Sequence, residues 1–513
     1  MKRKICERLK CAVVAAIALA AMSALAEIRL AAPFTDGAVL QRQRPVPVWG
    51  RVLPGSTVKV AFAGAERSAV ADAEGRWRVN LPEMEACREG RTLIVSEYGK
   101  DAPGKAIDAV EVKDVLVGEV WFASGQSNMG FSLVGEPHVC DRNGRLMAQK
   151  TCLPLVRFCK YGYRISDKPE EFAQHPIAWN KFTPENLKEP KKFSAIGFYY
   201  GVELYNALQI PVGIVGVYWG GTLIDAWTPR EGLETRPDLK DVLEWPVSMK
   251  WDGKNPKSIW PHNRVRDQTS VIWNAIVNPF CPYAMRGVIW YQGESNARAS
   301  GRYASQMHAL YNGWSKKFEN PEMKLYFVQI APYDYADDNL VKMWEAQERF
   351  AREEKNSAIT VINDLGNLND VHPNEKGTVG MRLALHALKR DYGFDGIQDN
   401  SPTLKEWKIE GDTFVLSFND AAELYMYNPD FSRNAPFEIA GEDGVFKPAK
   451  IVNLKPGRKG TKRLRGGIDG QNIVVRADEI DKPAKLRYAC SSPWKGNIYN
   501  EADLPLGAFR IGD

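Results

Sequence analysis

The sequence predicts an α/β protein whose central region, residues 115–397, is a parallel sheet packed between helices, with a β-rich region on either side at 27–114 and 398–513. Two observations carry that prediction. From 115 to about 395, short apolar and β-branched runs alternate with helix-length stretches, the pattern of right-handed βαβ units. Before and after it, short alternating runs are broken by turn residues, the pattern of antiparallel sheets. Composition agrees: 44% of the 513 residues are hydrophobic and 15 are tryptophan, enough to build large cores without disulfides. A chain of this length suggests about three domains.

Residues 1–26 read as an export signal outside the fold. Lys2, Arg3, Lys4, Arg8 and Lys10 precede a short apolar core from Cys11 to Met22, and Ala24-Leu25-Ala26 gives an A-x-A cleavage site. The apolar run is too short for a comfortable membrane span, so a periplasmic or secreted protein with no span after cleavage is expected. The segment carries +4 of the formal net charge of +5. The nearly neutral remainder offers no electrostatic footprint for nucleic acid. Two cysteines leave with the signal and six remain, Cys87, Cys140, Cys152, Cys159, Cys281 and Cys490, in no zinc-like spacing. Cys140, Cys152 and Cys159 are close enough in sequence for a local disulfide in an oxidising compartment, and free thiols are an equal alternative.

In the first β-rich region, Pro45 to Trp49, Thr57 to Ala61 and Arg76 to Asn80 alternate and are separated by Leu53-Pro54-Gly55 and Ala73-Glu74-Gly75, which predicts a small β-sandwich. Strands of the central sheet are predicted at Val115 to Ala123, Val212 to Val217, Gly287 to Tyr291, Lys324 to Ile330 and Ala358 to Ile362. Helices are predicted at Ile196 to Leu208, Tyr303 to Phe318, Lys342 to Lys355 and Glu375 to Lys389. Residues 160–192, rich in Pro, Lys and aromatics, and 230–266 read as irregular excursions. Thr413 to Ser417 and Asn472 to Arg476 mark strands of the C-terminal β-region.

Chemistry concentrates where the predicted parallel strands end, the edge at which open α/β folds bind ligands. The first strand breaks into Gly125-Gln126-Ser127-Asn128-Met129. A turn of small residues there lifts one serine hydroxyl above the sheet, although an isolated serine of this kind more often caps a helix. A nucleophilic serine needs a base. Of the six histidines only His372 lies in a polar loop after a strand, in Asn369-Asp370-Val371-His372-Pro373, with the Asp370 carboxylate two residues before it. That carboxylate can orient the ring and stabilise the imidazolium. Two more strand ends offer polar groups for a developing oxyanion: Trp219-Gly220-Gly221-Thr222, and Gln292-Gly293-Glu294-Ser295-Asn296.

Taken together, GQSNM at 125–129, WGGT at 219–222, WYQGESNA at 290–297 and NDVHPNEKG at 369–377 resemble the sialate O-acetylesterase family. That family belongs to the SGNH (GDSL-like) hydrolases, which also include acetyl xylan esterases of similar pattern. The likeness runs through nearly the whole chain after residue 26. It implies an SGNH-type three-layer α/β/α domain and a Ser-His-acid acyl-enzyme mechanism that needs no cofactor and no metal. It further implies Ser127 as nucleophile, His372 as base, and an oxyanion hole made of the Ser127 N–H, the Gly221 N–H and the Gln292 side-chain amide. The superfamily's acid usually lies three residues before the histidine, where this chain has Asn369. The third member is therefore Asp370, the preferred reading, or Glu294 reaching across from the QGES block. Asn128, Trp219 and Tyr291 are candidate substrate-binding residues, the two aromatics as sugar-stacking faces.

The expected activity is a carbohydrate O-acetylesterase, with O-acetylated sialic acid favoured as substrate. Acetylated xylan is one alternative. A non-catalytic glycan-binding protein built on a degenerate hydrolase domain is the other.

Overall fold

The computed structural model describes residues 28–512 apart from 101–103, 137–139, 190–192, 245–263, 367, 428–435, 455–464, 469–471 and 492–494. The predicted export signal lies outside the described residues. The chain folds as a mixed α/β protein organised on one long strand, β1 (Ala106–Gly125). Its first half pairs antiparallel with Cys87–Tyr98 in the N-terminal β-region, and its second half lies at the centre of the parallel sheet. The expected division at 114/115 thus falls inside a continuous strand rather than in a linker.

β1 is joined in the parallel sheet by β2 (Leu153–Lys160), β3 (Val212–Tyr218), β4 (Gly287–Tyr291), β5 (Lys324–Val328) and β6 (Ser357–Thr360), in the spatial order β2-β3-β1-β4-β5-β6. A short antiparallel strand, Asn180–Phe182, closes the β2 edge. β3 and β4 are buried at every residue, as strands covered on both faces must be. The covering helices are α1 (Ala195–Leu208), α2 (Tyr303–Lys317), α3 (Asn339–Glu353) and α4 (Lys376–Tyr392). Neighbouring residues of β1 show which helices take which face. Trp121 meets Tyr200 of α1 edge-on at 5.3 Å and donates its indole N–H to the Tyr392 hydroxyl of α4 at 3.0 Å. Phe122 points the other way, against Phe280 and against Phe318 at the end of α2. α1 packs on α4, and α2 on α3.

Strand β2 is a correction to the sequence reading, which has no strand there. Pro154 and Arg157 interrupt its apolar run. Arg157 is nevertheless buried, because its guanidinium donates to the carbonyls of Gly37 (2.7 Å) and Asp114 (2.5 Å) and pairs with the Asp114 carboxylate at 2.9 Å. A buried charge paired through both terminal nitrogens in this way sits in a strand without an apolar signature.

In the N-terminal region the alternation is as read: Thr57–Phe62 and Arg76–Leu81 bury every second residue. The C-terminal region contains a seven-stranded sheet and a three-stranded sheet. All six described cysteines are free thiols, so the disulfide alternative falls. Among the described residues no helix is long and apolar enough to cross a membrane.

The end of β1 is sterically exacting. Gly125 has φ +133°, and a Cβ there would lie 2.1 Å from the Tyr291 carbonyl oxygen. Gly125→Ala is expected to destabilise the protein by about 2 kcal/mol or more, because two backbone strands would have to separate. A thermal melt against wild type checks this.

Candidate active site

All the parallel strands point their carboxyl ends to one edge, which brings the loops after β1, β3, β4 and β6 together. The turn after β1 holds Ser127 half-buried. Its Oγ lies 2.8 Å from His372 Nε2, 245 residues along the chain. On the far side of the ring, His372 Nδ1 lies 3.5 Å from Asp370 Oδ1, and the same carboxylate oxygen accepts the His372 backbone N–H at 2.9 Å. The Asp370 carboxylate thus contacts both the backbone and the ring of the histidine. Phe131 stacks near the imidazole, with ring centroids 5.9 Å apart.

Gly221 adopts φ +68°, a left-handed conformation that suits glycine, with its carbonyl accepting from Arg266 Nη2 at 3.1 Å. Among the described residues, neither the Ser127 nor the Gly221 backbone N–H donates to a protein acceptor. The Gln292 expectation is corrected. Its side chain is fully buried, and its amide nitrogen donates to the Thr222 carbonyl (3.0 Å) and to Asn296 Oδ1 (2.7 Å), while Oε1 accepts from the Tyr303 hydroxyl. One amide hydrogen ties the β4 loop to the β3 loop at Thr222 and the other closes the β4 loop on Asn296, so none remains for an oxyanion.

Glu294 is not brought onto His372. Its Oε1 accepts from Asn128 Nδ2 at 2.5 Å, while Oε2 is buried without a partner. Burial raises its carboxyl above the usual range. Asn128 is fully buried and acts as a clasp. The same Nδ2 also donates to the Val371 carbonyl at 3.0 Å, and its Oδ1 accepts from Lys376 Nζ at 2.5 Å. The Lys376 ammonium is wholly buried between the rings of Phe131 (4.7 Å) and Tyr291 (5.4 Å). Burial pushes it down to about 7, against the opposing pull of Glu294. His372 is held below its ordinary value, first by burial and then by the Lys376 charge, with Asp370 opposing. A ring held neutral in this way keeps Nε2 able to accept a proton.

A sequence profile of the family described as carbohydrate esterase, sialic acid-specific acetylesterase, matches residues 117–389, more than half of the chain. The chain belongs to that family. It is a carboxylic ester hydrolase, a carbohydrate O-acetylesterase. The sialate O-acetylesterase of Mus musculus is 26% identical to it over 469 residues, covering 83% of this chain and 84% of that one. The Homo sapiens sialate O-acetylesterase is 26% identical over 444 residues and covers 80% of each chain. A crystal structure of a carbohydrate acetylesterase from Xanthomonas citri aligns with a TM-score of 0.77 at 28% identity, over 94% of this chain and 99% of that one.

In the esterase, two cavities open beside Ser127 and His372. One, of about 290 Å³, is lined by Phe131, Ser132, Lys160 and Tyr218 among others. The other, of about 470 Å³, is lined by Trp219, Gly221, Glu294, Tyr333 and Tyr335 among others. Tyr163 and Gly220 line both. The substrate-binding expectations are corrected here too. Asn128 and Tyr291 are fully buried and line neither cavity, and Trp219, although it borders the larger one, is only 2% exposed, so Asn128 is out of a substrate's reach and neither aromatic presents an open face for a sugar. Sequence reasoning missed Lys376, Phe131, Lys160 and Tyr163. The signal for the last two was present, in the aromatic and basic composition of the excursion after β2.

Proposed function

We propose that this esterase removes O-acetyl groups from sialic acids, with Ser127 as nucleophile, His372 as base and Asp370 as the group that orients it. The observation that carries this reading is the 2.8 Å contact between Ser127 Oγ and His372 Nε2, beside two uncommitted backbone N–H groups. Ser127 Oγ attacks the acetyl carbonyl carbon and passes its proton to Nε2. The N–H groups of Ser127 and Gly221 receive the developing oxyanion. The C–O bond to the sugar then breaks, His372 returns the proton to the leaving oxygen, and an acetyl-serine remains. Water, deprotonated by the same histidine, releases acetate and restores the serine. Glu294 is assigned no part in proton transfer.

The sialate assignment is supported by the family match and by the relatives named above. The sheet order and the two helical faces support an SGNH-type three-layer domain at 115–397 between an N-terminal β-sandwich and a C-terminal β-rich region. The basic, apolar and A-x-A pattern of residues 1–26 supports export to the periplasm or beyond. Measuring acetate released from 9-O-acetylated sialoside and from acetylated xylan tests the substrate reading. Faster release from the sialoside is expected, and preferential release from xylan would overturn it.

The position of the acid limb of the pH profile is a second expectation. His372 lies below its ordinary 6.5, so kcat/KM of wild type should stay high until the pH falls beneath that value. Lys376→Met removes one of the causes that lower it, so the limb should move to higher pH. A profile of kcat/KM against pH for both proteins reads the shift.

A further inference from the structure

We infer that Tyr163 and Lys160 form the subsite that selects an acidic sugar, the ring carrying the sugar and the ammonium its carboxylate. The inference rests on the esterase reading above and adds the residues that distinguish a carboxylate-bearing sugar from a neutral one.

Four observations converge on these two residues. Strand β2 ends at Lys160, at the same edge of the sheet as Ser127, and the chain then crosses that edge. Tyr163 is 46% exposed although it lines both cavities that open beside Ser127 and His372. Phe131, Tyr218 and Trp219 beside the serine are buried, and Tyr333 and Tyr335 of the larger cavity are half-buried, whereas Tyr163 is exposed and lines both cavities, so its ring can meet a pyranose. Such faces take sugars because an aromatic body covers apolar C–H groups while polar edges stay wet. Its backbone is held at φ +34°, a conformation unfavourable to a bulky side chain. Strain of this kind persists where the surroundings enforce it, and it collects at ligand clamps. Tyr163 is propped from beneath by Trp219, with ring centroids 5.3 Å apart.

Lys160 supplies the charge. It lines the smaller cavity together with Ser127, and its Nζ lies 5.1 Å from the Tyr218 ring and 5.8 Å from that of Tyr163. An ammonium resting on two π faces is partly desolvated and placed, which strengthens its attraction for an anion entering the same cavity. A neutral xylan chain would gain nothing from the Lys160 ammonium.

The test uses one acetylated sugar in two forms, a 9-O-acetylated sialoside and its C1 carboxamide, with acetate release as the readout. Wild type should prefer the carboxylate by about tenfold in kcat/KM, expressed mainly in KM, as for one well-placed charge contact. Lys160→Met should lose that preference and Lys160→Arg should retain most of it. Tyr163→Ala should raise KM for both forms alike. If Lys160→Met still prefers the carboxylate by the wild-type factor, the subsite assignment is overturned while the esterase reading stands. If wild type releases no acetate from either form yet hydrolyses p-nitrophenyl acetate, the sialate reading and the subsite both fall.

Discussion

Ser127→Ala should lower kcat for acetyl-ester hydrolysis by about 10⁶-fold, the scale seen when a hydrolase loses its nucleophilic serine. The change deletes one oxygen from a half-buried turn and leaves β1 and its neighbours intact, so folding should be unaffected. The residual rate would come from the Ser127 and Gly221 N–H groups, which a methyl side chain does not disturb. His372→Ala should fall to a similar level, and the double variant should be no worse than either single one, because the two groups act on one proton. Hydrolysis of p-nitrophenyl acetate, with circular dichroism as the folding control, reads all three. Equal rates for wild type and Ser127→Ala would return the protein to the class of glycan-binding modules.

The second large effect belongs to the carboxylate. Asp370→Asn should reduce kcat by about 10⁴-fold, the scale for a triad acid whose replacement selects the wrong imidazole tautomer. The side chain is nearly isosteric, so its bond from the His372 backbone N–H survives, and the loss falls on the ring contact at 3.5 Å. The variant's acid limb should also move to lower pH, since Asp370 is the group that raises His372. Glu294→Gln should cost less than about 10²-fold, because Glu294 meets Asn128 and not the imidazole. The opposite ranking would make Glu294 the partner. Single-turnover rates for the two variants decide the matter.

The strand ends were the legible part of this molecule. Buried parallel strands must be apolar, so a polar cluster that follows one stands out. Those after β1, β3, β4 and β6 do meet at one edge. What escaped was written in the direction of side chains. Gln292 follows its strand as an oxyanion donor would, yet both its hydrogens go to Thr222 and Asn296. Nothing in a run of letters says which way an amide bonds. Lys376 looks like an ordinary solvated residue at a helix start, and only the convergence of Asn128, Phe131 and Tyr291 around it makes it a buried charge. Arg157 hid β2 for the same reason. Tyr163 lies in a segment without periodicity, where composition was the signal and no pattern singled out the residue.

The continuity of β1 limits how this protein can be divided. Glu119, midway along the strand's buried half, accepts from Arg42 Nε at 2.6 Å and Gln41 Nε2 at 3.1 Å on one side and from Arg286 at 3.1 Å on the other. The first two belong to the N-terminal region and the last immediately precedes β4. A fragment cut at residue 115 would begin inside its own central strand, with a buried carboxylate stripped of two of its partners. Losing one partner of a buried pair costs about 3–5 kcal/mol. The N-terminal sheet is therefore no detachable ornament that recombination could trade between enzymes. It is the upstream length of the same beam that carries the serine.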